Sequence, residues 1–338
     1  MKPYYEPLVY HVSPEEEGIL LKTILQSRMG LSRKLLSRLK LTEQGITVNG
    51  QRKYISVRVQ AGDVVEVRME QEQSDDILPQ DLPLTILYED DHLLVLNKPA
   101  GMIVHPTHGH YVNTLANAVV YYWQQQGWNY RFRPIHRLDQ ETSGTLAVAK
   151  NPFIHQQVSE QMQAHEVKKE YLALVHGAVA SDEGTVNEPI DRDPEQPHLR
   201  IVTESGYSAV THYRVERRFR EATLVRLWLE TGRTHQIRVH MKHLGHPLLG
   251  DKLYKLEAGG LGRSMESPSD DDPACSGNKA PDGELGTAAQ EDAFGLERHA
   301  LHACSLGFVH PATKQWIEFH APLPEDLEQC IRLLHDLG

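Results

Sequence analysis

His136-Arg137-Leu138-Asp139-Gln140-Glu141-Thr142-Ser143-Gly144 runs from a proline-marked loop into an apolar stretch that opens at Thr145. It sets a cation, a carboxylate, two hydroxyls and a glycine at the mouth of a strand over residues 145–149, where loops commonly carry function. By spacing alone the segment also reads as an aspartate capping a turn, with Arg137 on the surface. Its surroundings indicate the fold class. Upstream, Ile86-Leu87-Tyr88 and Leu93-Leu94-Val95-Leu96 are short apolar runs of strand type. Downstream, Asn151-Pro152 caps a helix with Ile154, Val158 and Met162 on one face. Residues 171–175 form a further apolar strand, 224–229 alternate around Arg226 and Trp228, and 324–337 close the chain as a helix. This irregular order of helices and strands predicts an α+β fold and not a doubly wound sheet.

The amino-terminal part has a different character. Ser13-Pro14-Glu15-Glu16 is a helix-start signal, with Ser13 as cap and Glu16 completing a capping box. Leu20, Leu21, Ile24 and Leu25 follow at helical spacing. A second short helix after Ser32 turns Leu35, Leu36 and Leu39 inward and leaves Arg33, Lys34, Arg38 and Lys40 outside. Ile46 to Arg52 reads as a strand entering a type I′ hairpin, and Val65 and Val67 alternate with charges as in a half-buried strand. Residues 13–70 are therefore expected as a small basic module. Residues 71–84, acidic and marked by Pro79 and Pro83, are expected as a linker to a catalytic domain over 85–338. Within that domain residues 256–294, rich in Gly, Ser, Pro and Asp, are expected to be a disordered insertion.

The formal net charge of −11 over 338 residues argues against a nucleic-acid partner only if its distribution is ignored. Residues 19–68 carry ten Lys or Arg against three acids, a net +7. Eight acids and no Lys or Arg lie between Glu70 and Asp91, and the stretch from Glu257 to Asp292 carries −7. Three unpatterned cysteines form no disulfide framework or zinc ribbon. No apolar run reaches the ~20 residues of a membrane helix. The first residues contain no export signal, so a reducing cytoplasm is the expected compartment.

Two more polar clusters stand at strand ends. Thr231-Gly232-Arg233-Thr234-His235-Gln236-Ile237-Arg238 leads into a helix that Gly245 is placed to end, so Arg233, Thr234 and the first backbone N–H groups suit a phosphate. The same cluster also reads as a solvated basic helix face. Asn97-Lys98-Pro99-Ala100-Gly101 is a bent loop after an apolar strand, and alone it indicates only a turn. Together the three segments resemble the RluA-type pseudouridine synthases, whose His-Arg-Leu-Asp-x-x-Thr-Ser-Gly, Asn-Lys-Pro-x-Gly and Thr-Gly-Arg-x-His-Gln-Ile-Arg blocks are present at 136–144, 97–101 and 231–238. Lys169-Glu170-Tyr171-Leu172, Gly250-Asp251-Lys252-Leu253-Tyr254 and Leu301-His302-Ala303 also fit. More weakly, the amino-terminal part resembles the RNA-binding module named after ribosomal small-subunit protein four, although Ile19-Leu20-Leu21 stands where that family has Arg-Leu-Asp.

The resemblance implies a mixed, largely antiparallel sheet with flanking helices, an α/β RNA-binding module before it, and isomerisation of uridine to pseudouridine in structured RNA. It implies Asp139 as the essential carboxylate, Arg238 as its counter-charge and Tyr171 packed on the uracil. RNA contacts are expected from Arg137, His136, Thr142, Arg233, His235, Gln236, Arg33, Lys34 and Arg38. The expected partner is RNA, ribosomal ahead of transfer RNA, for a monomer with no cofactor, metal or membrane. Two other classes compete. One is a non-catalytic RNA-binding or ribosome-assembly factor on the same fold. The other is a metallohydrolase, suggested by 20 histidines but accompanied by no metal-ligand spacing.

Overall fold

The computed structural model describes residues 4–255 and 294–336, which divide into two compact units. One comprises residues 4–140, 144–168 and 305–321; the other comprises 141–143, 169–255, 294–304 and 322–336.

The first unit begins with strand β1 (Leu8–His11). Ser13 and Glu16 form the expected capping box, but over a single 3₁₀ turn, Pro14–Glu16. Gly18 takes a left-handed φ of 78° and ends the turn. Helix then resumes as α1 (Leu21–Thr23) and a wider π turn, Ile24–Arg28. The helical run is thus split in two. The Glu16 carboxylate accepts bonds from Tyr10 Oη and Arg28 Nε at 2.8 and 2.7 Å, which tie the two pieces together from the side. Helix α2 (Arg33–Leu39) follows, with Ser32 Oγ accepting the Leu35 N–H at 3.1 Å; its leucines are buried and its cations exposed. Strands β2 (Ile46–Val48) and β3 (Gln51–Arg52) meet at Asn49 and Gly50, whose φ of 49° and 74° are those of a type I′ turn. With β4 (Val64–Val67) they complete a four-stranded sheet of order β1-β4-β2-β3.

Residues 71–84 contain no helix or strand, yet they are held in place. Ile77 and Ser74 are buried, and the Leu78 carbonyl accepts from Asn117 Nδ2 at 2.7 Å. Next come β5 (Thr85–Glu89), β6 (Leu93–Lys98), α3 (Leu115–Gln125), β7 (Ser143–Ala149) and α4 (Pro152–Gln163). Every residue of β7 is buried, as expected of a strand covered on both faces. Asn151 caps α4, its Oδ1 accepting the Ile154 N–H at 2.9 Å. One apolar cluster joins Leu31, Leu35 and Leu36 to Phe153, Ile154 and Val158. Beside it Gln156 and Gln157 donate to the Gly30 carbonyl at 2.7 and 2.9 Å.

The chain continues through β8 (Lys168–His176), β9 (Glu183–Asn187), β10 (Ile190–Arg192), β11 (Arg200–Val202), β12 (Val210–Arg218), β13 (Ala222–Leu229) and helix α5 (Gln236–His243). It finishes with β14 (Leu301–Val309), β15 (Trp316–His320) and helix α6 (Glu325–Asp336). In the second unit β8, β13, β12 and β9 are neighbours in that order, each pair antiparallel. In the first unit the order is β5-β6-β7-β14, with β15 antiparallel on β14. Helix α6 buries Leu327, Cys330 and Leu334 against Leu174, Phe219 and Leu249, and burial pushes the Cys330 thiol up to about 11. The whole is the α+β arrangement that the order of elements predicts. The proposed insertion lies outside the described residues except for Phe294, which is buried. No helix among the described residues is long and apolar enough to cross a membrane.

Candidate active site

Asp139 sits in the loop that feeds β7, and the loop is tied down on both sides of it. Ahead of it, the Ile135 N–H donates to the Ala147 carbonyl at 2.9 Å, and Leu138 is buried. Immediately after it, the Gln140 carbonyl accepts from Lys98 Nζ at 2.9 Å while Gln140 Nε2 donates to the Gly101 carbonyl at 3.1 Å. Lys98 is fully buried and also donates to the Pro99 and Met102 carbonyls at 2.7 and 2.8 Å. One ammonium therefore joins the 97–102 turn to the backbone beside Asp139, which itself is partly exposed. The expected result for Lys98→Met is a loss of ~1–3 kcal/mol, because three carbonyls around a buried ammonium lose their shared donor. Chemical denaturation checks this, with a lower turnover accompanying it as the Asp139 loop loosens.

From Glu141 the loop belongs to the second unit, where Arg298 holds it. Arg298 is 5% exposed; its guanidinium donates to the Glu141 carbonyl at 2.9 Å and Ser143 Oγ at 3.3 Å, and pairs with Asp326 at 2.7 Å. Thr142 Oγ1 bonds His299 Nε2 and Ser143 Oγ bonds His302 Nδ1, both at 2.9 Å. Backbone and hydroxyls of the three residues after Gln140 are thereby fixed by side chains more than 150 positions away in sequence.

The second polar cluster is equally built. Arg238, on α5, forms a bidentate pair with Asp251: Nε to Oδ2 at 2.6 Å and Nη2 to Oδ1 at 2.8 Å, with both side chains buried. The Leu253 and Tyr254 N–H groups also donate to Asp251, at 2.9 and 3.1 Å. Burial alone would push this carboxyl up; the bonds and charge of Arg238 outweigh it and hold it below the usual carboxylate range. The Tyr254 ring lies 4.9 Å from the Arg238 guanidinium, and its hydroxyl bonds His235 Nδ1 at 2.8 Å and accepts the Arg200 N–H at 2.9 Å. His235 caps α5 in the left-handed region at φ 58°. Gln236 Oε1 accepts from Thr231 Oγ1 and the Arg233 N–H at 2.9 Å, while its Nε2 donates to Val210 and Thr211.

Burial, with the nearby positive charge of Arg238, lowers the His299 imidazole to about 3. The proton then favours the unfolded chain, so stability falls as pH drops from about 6.5 towards about 3, by up to ~1.4 kcal/mol per pH unit through this group. His155 and His240, lowered by burial as well, add to the same slope. His299→Gln is expected to flatten the loss seen in denaturant midpoints between about pH 7 and about pH 5 by one such increment. An unchanged slope would place the protonation elsewhere.

The profile of the RNA pseudouridylate synthase family matches residues 92–243. The chain is 40% identical over 296 residues to the uncharacterized RNA pseudouridine synthase YlyB of Bacillus subtilis, covering 87% of this chain and 86% of that one. This chain belongs to the RNA pseudouridine synthase family. It is also 41% identical over 278 residues to ribosomal large subunit pseudouridine synthase D of Xanthomonas campestris, with coverage of 82% and 77%. The solved human RNA pseudouridylate synthase domain containing 4 shares the fold, at a TM-score of 0.55 and 24% identity over 74% of this chain and 93% of that one. As a member of this family the chain is an isomerase acting on RNA.

Each expected site residue of the synthase can now be placed. Asp139 and His136 are partly exposed and Arg137 exposed, all three in the first unit; Tyr171, on β8 opposite Leu227, is 8% exposed in the second. Arg233 is exposed, with its guanidinium 5.5 Å from the Tyr207 ring. Thr142 and Gln236, expected to face RNA, are each 2% exposed and hydrogen-bonded internally, so they hold the frame of the site. Arg33 and Lys34 are exposed on α2, while Arg38 is paired with Glu72. Two of the clustered histidines are in ordinary polar roles: His240 bonds Thr211 and the Glu188 carbonyl, and His246 the His176 carbonyl. Lys98, Asp251, Arg298 and His299 were not singled out by sequence. Lys98 and Asp251 lie in matched blocks, a signal that could have found them, whereas Arg298 and His299 lie in none.

Proposed function

We propose that this synthase isomerises selected uridines of large-subunit ribosomal RNA, with Asp139 as the essential carboxylate. The observation that carries the reading is the motif loop at 136–144, whose backbone is held immediately after Asp139, at the Gln140 carbonyl by Lys98 and at the Glu141 carbonyl by Arg298. The reaction detaches the uracil from C1′ at N1, rotates it and rejoins it through C5, with no net redox change. The base must leave its stack, so the substrate is everted into the site at a cost of a few kcal/mol. Asp139 either attacks carbon directly or takes a ribose proton, and both roles require it ionised. On motif position, Arg238 is its counter-charge, Tyr171 packs on the uracil and Arg137 fills the gap left by the everted nucleotide.

Residues 13–70, with Arg33 and Lys34 exposed on α2, are proposed as an accessory RNA-binding module. The choice of ribosomal RNA rests on the name of the Xanthomonas relative and on this basic region. A monomer in the cytoplasm completes the reading. Mapping pseudouridine across total RNA with and without the gene is the test. The expected result is the loss of one or a few large-subunit sites; loss confined to transfer RNA would move the substrate, and no loss anywhere would end the reading.

A further inference from the structure

Away from the motif loops, the first unit contains a cavity of about 230 Å³ between residues 73–79, the end of α3 and the turn that follows it. Aromatic rings dominate one part of its wall: Trp123, which is 1% exposed, Trp128, which is 37% exposed, and Tyr130. Trp123 and Tyr130 meet edge to face with centroids 5.3 Å apart, and Trp128 is tilted against Tyr130 at 6.0 Å. The exposed side chains of Gln124, Asn129 and Asp75 line the same space. The rings are set in advance. Lys150, itself paired with Glu89 at 3.0 Å and bonded to the Asp90 carbonyl, stands 4.6 Å over the Trp128 ring and 5.5 Å over that of Tyr130. Trp128 is also fixed through its backbone, which donates to the Trp123 carbonyl at 2.9 Å.

A space of this size falls below the ~300–1,000 Å³ of typical small-molecule pockets, and it suits a single planar ring system. Aromatic walls bind nucleobases by stacking, whatever their sequence. The hydrogen-bonding groups narrow the choice. A carboxylate only accepts, so Asp75 favours a base whose edge carries an exocyclic amino group, as in cytosine, adenine or guanine, over uracil with its single N3–H donor, and the two amides can complete an edge that both donates and accepts. Uracil has no amino group. We propose that this cavity receives an unpaired amino-bearing base (cytosine, adenine or guanine) of the substrate RNA, a second base-binding site apart from the one that holds the reacting uracil. The proposal deepens the RNA-modifying reading above and rests on it.

The test uses the full chain, an RNA transcript labelled with tritium at uridine C5, and short single-stranded oligo(C), oligo(A) and oligo(U). Tritium release yields KM and kcat; quenching of tryptophan fluorescence yields oligonucleotide affinity. For Trp128→Ala, KM is expected to rise about tenfold with kcat unchanged, since one stacked base is lost. Asp75→Asn is expected to abolish the preference for oligo(C) and oligo(A) over oligo(U), and this exposed position should leave folding intact. Parental KM in folded Trp128→Ala, together with parental base preference in Asp75→Asn, would overturn the second site while leaving the synthase reading standing. If Trp128→Ala fails to fold, the Asp75→Asn preference decides alone. Absence of tritium release from the parent protein on every RNA tried would instead sink the synthase reading, whatever the oligonucleotides show.

Discussion

Asp139→Asn is expected to stop pseudouridine formation while leaving RNA affinity close to that of the parent. The substitution keeps the shape of the side chain and removes its charge and basicity. A lost general base costs ~10²–10⁴-fold, and a lost nucleophile up to ~10⁶-fold, so the single-turnover rate should fall by at least the lower figure under either chemistry. Binding should survive because affinity for RNA comes mostly from phosphate contacts spread over many cations. The loop should also survive, since its anchors are Lys98 on the Gln140 carbonyl and Arg298 on the Glu141 carbonyl, neither of which involves the Asp139 side chain. Tritium release and pseudouridine mapping in cells carrying only the mutant measure the effect. Retained modification would remove Asp139 from its role.

The second large effect concerns the pair beneath α5. Asp251→Ala leaves the Arg238 guanidinium, 5% exposed, without its bidentate partner, and leaves the Leu253 and Tyr254 N–H groups without their acceptor. Removing one member of a buried ion pair typically costs ~3–5 kcal/mol. That is a large part of the ~5–15 kcal/mol by which a domain is stable. Urea denaturation of parent and variant gives the number. The accompanying activity loss should exceed the fraction unfolded, because Arg238 then loses the forked bond that sets its orientation. Arg238→Lys separates charge from geometry: it keeps the positive charge but cannot make the forked pair, so it should recover only part of the stability and little of the rate. A loss below 1 kcal/mol in Asp251→Ala would show that the pair contributes little to the fold.

Local chemistry explains which features could be read in advance. Ser32 before a leucine-periodic run, Asn49-Gly50 between strands, Asn151-Pro152 at a helix start and Gly245 at a helix end all act through atoms within about four residues, and each appears as expected. Helix α3 escaped the reading. Leu115, Ala116, Ala118, Val119, Val120 and Trp123 are all buried, so little of its sequence alternates between apolar and polar faces. The split after Glu16 also escaped, because the capping box is present but the backbone at Gly18 turns left-handed. Asp139, Tyr171 and Arg238, the proposed catalytic residues, stand out in the sequence only as members of ordered motif blocks.

The sequence by itself determined the α+β class, the uneven charge, and the three motif loops that mark the family, because propensity, capping and motif spacing are properties of neighbouring residues. Only the tertiary structure decided that Arg238 has Asp251 as a partner, that His299 and Arg298 hold Thr142 and Glu141, and that Trp123, Trp128 and Tyr130 enclose a cavity with Asp75. Those partners lie from 13 to 157 positions apart or come together across a turn and a linker. The bonds between them form only when burial has removed water as the competing partner.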